Sequence, residues 1–177
     1  ANACFTADGK QMYFTRNHEN KTDEAAKNGT FVQLALYTSS LVEGKWTNEE
    51  LLAFNDPRYS YGHPALSADG KKLYFVSNMP GGFGATDLYV VEKQGNGWGK
   101  PENLGQDINT KGNEMFPWVD ADGMLYFASN GRGGLGALDI FTVNPDKNVV
   151  GNPENLGAPV NSPYDDFGFV FDQENGV

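Results

Sequence analysis

The sequence repeats itself, and the repeat limits the possible folds more than any other feature. Residues 7–17 (ADGKQMYFTRN) reappear as residues 68–78 (ADGKKLYFVSN) and, one residue shorter, as residues 121–130 (ADGMLYFASN). Two further motifs recur 52 residues apart: FGATDLY with LGALDIF, and PENLG with PENLG. Self-similarity at this period is typical of solenoids, propellers and other repeat arrays.

Each unit contains short, apolar, β-rich segments separated by turn residues. Asp69-Gly70 is a tight-turn dipeptide between two such segments, so it predicts a hairpin. For this unit we predict four strands, at residues 63–67, 72–77, 87–92 and, more weakly, 98–104. We find no helical periodicity of ten residues or more. Four antiparallel strands in about fifty residues make one blade of a β-propeller.

The predicted fold is therefore all-β, a single propeller fragment over residues 1–177. We expect about three four-stranded antiparallel blades plus one inner strand of a fourth, in units at about 3–56, 63–109, 114–161 and 165–177. The inner strands are predicted at residues 3–6, 64–67, 116–119 and 167–171. Because closed propellers have four to eight blades, we interpret the chain as a piece of a larger one.

Two segments depart from the regular unit. Residues 18–30 are polar and lengthen the first unit, so we expect a surface insertion between its second and third strands. Residues 167–171 form an apolar strand without a hairpin partner. An open strand edge recruits other chains, so we expect this segment either to pair with another copy or to fold back on its neighbour.

Charge and cysteine content exclude several function classes. The net charge is −10, which opposes binding to nucleic-acid phosphates, and no apolar run is long enough to span a membrane. The single cysteine, Cys4, cannot form an internal disulfide, and we expect a buried thiol in an inner strand. No zinc-ligand spacing or serine-nucleophile motif is present, so we expect no cofactor, no metal and no catalytic residue.

The recurring polar and aromatic residues are predicted to be architectural. Asp87 and Asp139 precede the third strands, and we expect their carboxylates to accept hydrogen bonds from the Gly-rich turns before them. Trp46 and Trp98 are 52 residues apart and are predicted to pack between blades. The Gly-rich turns connect strands, so they do not resemble phosphate-binding loops that open a helix.

One turn has an alternative interpretation. Residues 120–123 (DADG) place carboxylates at alternating positions, as calcium loops do. The sequence continues with Met124-Leu125-Tyr126, which adds none of the oxygen ligands that such a loop requires. We therefore favour a hairpin turn and leave calcium binding as the alternative.

Positions just before the inner strands differ between units, as expected of a binding face on a repeat scaffold. Aligning Pro64 with Pro117 and Gly168 brings three positions together in each unit. On this alignment we predict that Tyr61, His63, Glu114 and Asp165 ring one mouth of the central channel. Their role would be polar contact with a protein partner or peptide.

The repeat also resembles known families. Residues 67–78 (SADGKKLYFVSN) are similar to the WD40-like repeat of TolB-type propellers. The order of Gly-rich turn, Asp-Leu-Tyr or Asp-Ile-Phe, Trp, Pro-Glu-Asn-Leu-Gly and Asn-Thr or Asn-Ser resembles the propeller region of OmpA-family envelope proteins. Residues 161–168 (NSPYDDFG) are the stretch that most specifically resembles this family. The resemblance implies a six-bladed parent in the periplasm, associated with the outer membrane, and some members act in type IX secretion.

The sequence thus predicts a non-catalytic protein-interaction or scaffold module of a bacterial cell-envelope protein. Its expected partners are proteins of the periplasm or outer membrane. Two alternatives stay open: a carbohydrate-active propeller enzyme (a glycosidase or lyase), and a periplasmic ligand sensor.

Overall fold

The computed structural model describes residues 2–18, 33–145 and 151–171. Within these ranges all regular structure is β, in three antiparallel sheets. The strands of the first sheet are β1 (Ala3–Phe5), β2 (Gln11–Asn17), β3 (Leu34–Val42) and β4 (Lys45–Leu51). Those of the second are β5 (Tyr61–Leu66), β6 (Lys72–Ser77), β7 (Asp87–Gln94), β8 (Gly97–Trp98) and β9 (Glu102–Asn103). Those of the third are β10 (Glu114–Val119), β11 (Leu125–Ser129), β12 (Asp139–Val143) and β13 (Glu154–Asn155).

The strands of each sheet pair in chain order, except that β9 pairs with β7 and not with β8. The hairpin between β5 and β6 turns at Asp69-Gly70, where Gly70 has a positive φ of 69°. The Asp69 carboxylate accepts hydrogen bonds from the Lys71 backbone N–H (3.0 Å) and the Ser67 hydroxyl (2.7 Å). The hairpin prediction is confirmed.

The core lies between the sheets, because alternate side chains of each strand point to opposite faces. In β6, Leu73 and Phe75 pack in a buried cluster with Tyr13 of the first sheet. Tyr74 and Val76 pack in a second cluster with residues of the third sheet. The middle sheet is therefore covered on both faces, as in stacked propeller blades.

The predicted fourth strand of the second unit is divided in two. β8 pairs with the end of β7, whereas β9 pairs with its middle, at Tyr89 and Val90. Gly99, Lys100 and Pro101 lie between the two segments, and Pro101 has no N–H to donate to a ladder. The outer edge of this blade is therefore short and interrupted.

The two segments that depart from the regular unit have different outcomes. Residues 167–171 are described but form no strand, because no described segment hydrogen-bonds beside them as a sheet neighbour. The segment instead places Phe169 against Trp118 and Tyr126 of the third sheet. Of the predicted insertion at residues 18–30, all but residue 18 lies outside the described residues.

The two repeated tryptophans differ. Trp98 packs edge-on against Tyr13 of the first sheet, with ring centroids 5.6 Å apart, so its predicted place between blades is confirmed. For Trp46 the prediction stays untested: the residue is 41% exposed and contacts Phe5 of its own sheet. No described sheet covers that face of the first blade.

Candidate functional site

The inner strands β1, β5 and β10 border an open groove of about 560 Å³, together with residues 168–170. Most of its lining residues have apolar side chains, among them Phe5, Leu66, Trp118 and Val170, but polar backbone atoms also face the groove. Asn2, the Cys4 thiol and the Trp118 indole N–H are the polar side-chain groups among the described lining residues. Burial raises the pKa of Cys4 to about 12, so this thiol stays protonated at neutral pH and is a poor nucleophile. The expected place of this thiol in an inner strand is thus confirmed, but Cys4 is half-buried at the groove and not enclosed in the core.

β-Bulges shape the mouth of this groove. In β5 the ladder to β6 shifts between Gly62 and Ala65, so His63 and Pro64 lie opposite one residue of β6. β10 shifts in the same way at Phe116 and its following proline. His63 and Phe116 have φ values of 51° and 53°, a left-handed conformation that costs non-glycine residues about 1–2 kcal/mol.

The two bulged residues stack on each other across the blade boundary. The His63 and Phe116 rings lie 4.2 Å apart at 14°, and Phe167 stacks on the other side of Phe116 at 5.0 Å. The Phe116 backbone N–H donates to Nδ1 of His63 (3.2 Å), and the His63 N–H donates to Thr15 Oγ1 (3.0 Å). Burial lowers the pKa of His63, so its ring is neutral and Nδ1 is available as an acceptor at neutral pH.

Two of the four predicted contact residues lie in the interior. Tyr61 is 2% exposed, and its hydroxyl lies 3.8 Å from the Met79 sulfur. Glu114 is fully buried, and its carboxylate accepts hydrogen bonds from the Thr110 N–H (2.9 Å), the Thr110 hydroxyl (2.6 Å) and the Ser129 hydroxyl (2.7 Å). Side chains held in this way have no free surface for a partner, so the binding hypothesis does not extend to them.

The other two predicted residues are accessible. His63 is half-buried in the stack at the groove mouth, and Asp165 is exposed. Asp165 accepts a hydrogen bond from the Leu138 N–H (3.0 Å), which ties it to the third blade. The structure therefore leaves these two at the surface without bringing all four into one cluster.

The alignment of units from which these four residues were predicted is shifted by one residue in the fourth unit. Asp166, not Asp165, repeats the bonding of Glu114, because it accepts from the Ser162 N–H (2.6 Å) as Glu114 accepts from Thr110. Gly168, with φ of 73°, correspondingly repeats the left-handed Phe116. The spacing of 52 residues that relates the PENLG motifs gives this alignment directly.

The predicted role of the recurring aspartates is confirmed. Asp87 accepts hydrogen bonds from the backbone N–H groups of Phe83 (2.8 Å) and Gly84 (3.2 Å). Asp139 does the same for Leu135 (3.1 Å) and Gly136 (3.2 Å). Each carboxylate thus fixes the Gly-rich turn of its blade.

Sequence reasoning missed a third recurring group, the asparagines Asn55, Asn109 and Asn161. Asn109 accepts from the Leu88 N–H (2.8 Å) and donates to the Leu88 carbonyl (3.0 Å), which fixes the connection between blades to the third strand. The other two bind Leu36 and Ile140 in the same way. The available signal was the Asn-Thr or Asn-Ser that follows each PENLG motif.

The Asp120 turn is a hairpin turn. Its carboxylate accepts from the N–H groups of Asp122 (3.0 Å) and Met124 (2.8 Å) and from the Tyr126 hydroxyl (3.2 Å). The oxygens are thus engaged by N–H and O–H donors, which supports the hairpin interpretation over a calcium loop. In the described ranges, no three His, Cys, Asp or Glu residues are grouped so as to hold a metal ion.

Comparison with known proteins identifies the fold. No protein-family model matches the sequence, and no curated protein matches it. Among solved structures, TolB from Acinetobacter baumannii has a TM-score of 0.55 at 18% identity, over 86% of this chain and 31% of TolB. A puromycin-hydrolyzing peptidase of Mycobacterium tuberculosis has a TM-score of 0.55 at 13% identity, over 90% of this chain and 22% of the peptidase. A prolyl endopeptidase structure scores 0.54 at 14% identity, over 93% of this chain and 22% of that one.

These similarities show that the chain forms part of a β-propeller. At such identities they establish the fold alone. The chain spans about a third or less of the length of each of these proteins. The described residues include no helix that could cross a membrane.

Proposed function

We propose that this propeller is a non-catalytic protein-interaction module of a bacterial cell-envelope protein. The observation that carries the proposal is how the recurring polar residues are used. Asp87, Asp139, Glu114 and Asp166 bind backbone or hydroxyl donors of their own blades, in the same way from blade to blade. Carboxylates whose oxygens are used in this way stabilise the fold and are not free to act on a substrate. The remaining candidate for function is therefore the exposed surface of the propeller.

The chemistry of the groove supports a non-catalytic role. Hydrolysis of a glycoside needs two carboxyl groups flanking the scissile bond, and the described residues that line the groove contribute none. The Cys4 thiol is held in its protonated form by burial. His63, at the mouth of the groove, is neutral, and its Nδ1 accepts a hydrogen bond from the Phe116 backbone N–H.

Location and partner class follow from the resemblance of the sequence. The motif order resembles the propeller region of OmpA-family proteins, so we propose a periplasmic module at the outer membrane whose partners are proteins. Participation in type IX secretion is one form that this role would take. A net charge of −10 favours partners with a positive surface.

The proposal is tested by reconstitution and by assay of turnover. Partners are captured by crosslinking in the cells of origin, then purified, and the complex is re-formed from the two pure proteins. We expect a saturable complex, together with no turnover of peptide and glycan panels above the buffer rate. Turnover that disappears on substitution of one carboxylate, with no complex re-formed, would overturn the proposal in favour of an enzyme.

A further inference from the structure

Two blades expose a large apolar side chain at the same position. Phe83 is 46% exposed and Leu135 is 54% exposed, and they lie 52 residues apart in equivalent Gly-rich turns. Tyr164, in the segment that packs against the second of these turns, is 79% exposed. We call these three residues the rim surface.

The turns that carry Phe83 and Leu135 are held by hydrogen bonds from their backbone N–H groups to an aspartate carboxylate of the same blade. The N–H of Phe83 donates to Asp87, and the N–H of Leu135 donates to Asp139. A Cβ at Gly82 or Gly134 would overlap the carboxylate of the respective aspartate, so glycine at both positions allows this bonding. Each exposed side chain is therefore presented from a fixed main chain.

The same turns also dock on the following connection between blades. A Cβ at Gly84 would overlap the carbonyl oxygen of Gly112, and one at Gly136 would overlap that of Tyr164. The Ala85 N–H donates to the Gly112 carbonyl at 2.9 Å. The rim surface is thus built on the ends of two blades that are locked together, and it recurs with the blade repeat.

A large apolar side chain in water is unfavourable, and burying it against a partner removes that cost. A contact surface that is already rigid loses little conformational entropy on binding. We propose that the rim surface docks a protein partner whose contact segment combines apolar side chains with lysine or arginine. The cationic component follows from the net charge of −10 of the whole chain and from the exposed Asp165, which accepts a hydrogen bond from the turn of the third blade. Arg132 of the same turn does not oppose it fully, because its guanidinium donates to the carbonyls of Asp107 and Ile108. The inference rests on the proposed protein-binding function and gives it a surface and a partner chemistry.

The test uses a library of synthetic 15-residue peptides of graded net charge and apolar content, with binding measured by fluorescence anisotropy. We expect the bound peptides to be cationic and apolar, and their affinity to fall as salt is raised. The double variant F83S/L135S should weaken binding at least tenfold. The control variant A3W places bulk in the groove of the inner strands and should change the affinity less than twofold. Urea midpoints close to that of the wild type establish that both variants are folded.

Several outcomes would refute the proposal that the rim surface docks a partner. These are no bound peptide, a preference for acidic or purely polar peptides, equal affinity in F83S/L135S, or loss of binding in A3W alone. If F83S/L135S instead abolishes self-association in sedimentation velocity, the occupant is a second copy and the proposed partner chemistry is wrong. The proposed function is judged separately, since a complex re-formed from purified proteins would stand even where the rim surface fails.

Discussion

Substitution of Asn109 by alanine tests whether the connections between blades depend on the recurring asparagines. The side chain is 2% exposed and makes three hydrogen bonds: to the Leu88 N–H (2.8 Å), the Leu88 carbonyl (3.0 Å) and Asn103 Oδ1 (2.9 Å). Leu88 is fully buried, so its N–H would be left without this acceptor and without water.

The expected cost is about 3 kcal/mol, at about 1 kcal/mol for each of the three bonds. For a protein of this size, that loss lowers Tm by about 6–12 °C. Urea unfolding followed by tryptophan fluorescence measures the free energy, and scanning calorimetry measures Tm. N161A should cost a similar amount, because Asn161 bonds Ile140 and Asn155 in the same way.

The control is N152A, because Asn152 is exposed and a surface substitution usually changes stability by less than about 0.5 kcal/mol. A loss below about 1 kcal/mol in N109A, or equal losses in N109A and N152A, would refute the reasoning. The connection would then be held mainly by apolar packing, and the asparagine recurrence would have another cause.

Three further variants test packing and charge. G84A should lower stability by about 1–3 kcal/mol, since its Cβ meets backbone carbonyls, whereas G97A, with only one atom within 4 Å at 3.9 Å, should be close to neutral in the same urea titration. Burial lowers the pKa of His63, so the stability it confers is complete above about pH 6.5 and is lost as pH falls through the lower folded pKa. Between pH 7.5 and pH 5, the Tm of H63F should therefore fall by less than the Tm of the wild type. An equal fall would show that His63 is not the source of this pH dependence. W98A should cost at least about 1 kcal/mol more than W46A, because Trp98 packs between blades and Trp46 is exposed, and equal midpoints would contradict that placement.

The repeat allowed much of the fold to be predicted, because apolar alternation and Asp-Gly turns act locally. The hairpins and the third strands needed only their own residues. The split between β8 and β9, by contrast, depends on how far β7 extends beside them. Residues 167–171 have the composition of a strand, but strand formation needs a hydrogen-bonding neighbour, which composition does not supply.

The candidate site was harder to predict, since exposure depends on neighbouring blades. Tyr61 and Glu114 vary between units as contact residues would, yet they fill the interior, and each satisfies a different local environment. The fixed spacing of 52 residues was a better guide than the prolines, because it pairs Glu114 with Asp166. Phe83 and Leu135 recur at that spacing, and only their exposure in the structure separates them from core residues.

The central claim is that the chain binds protein through the face of its Gly-rich turns and uses its recurring polar residues as scaffold. Hydrogen exchange with mass spectrometry, on the purified chain with and without its reconstituted partner, tests it most directly. The account predicts new protection in residues 78–86 and 130–138, with β5 (Tyr61–Leu66) and β10 (Glu114–Val119) unchanged. Protection confined to the inner strands, with the Gly-rich turns unaffected, would contradict it.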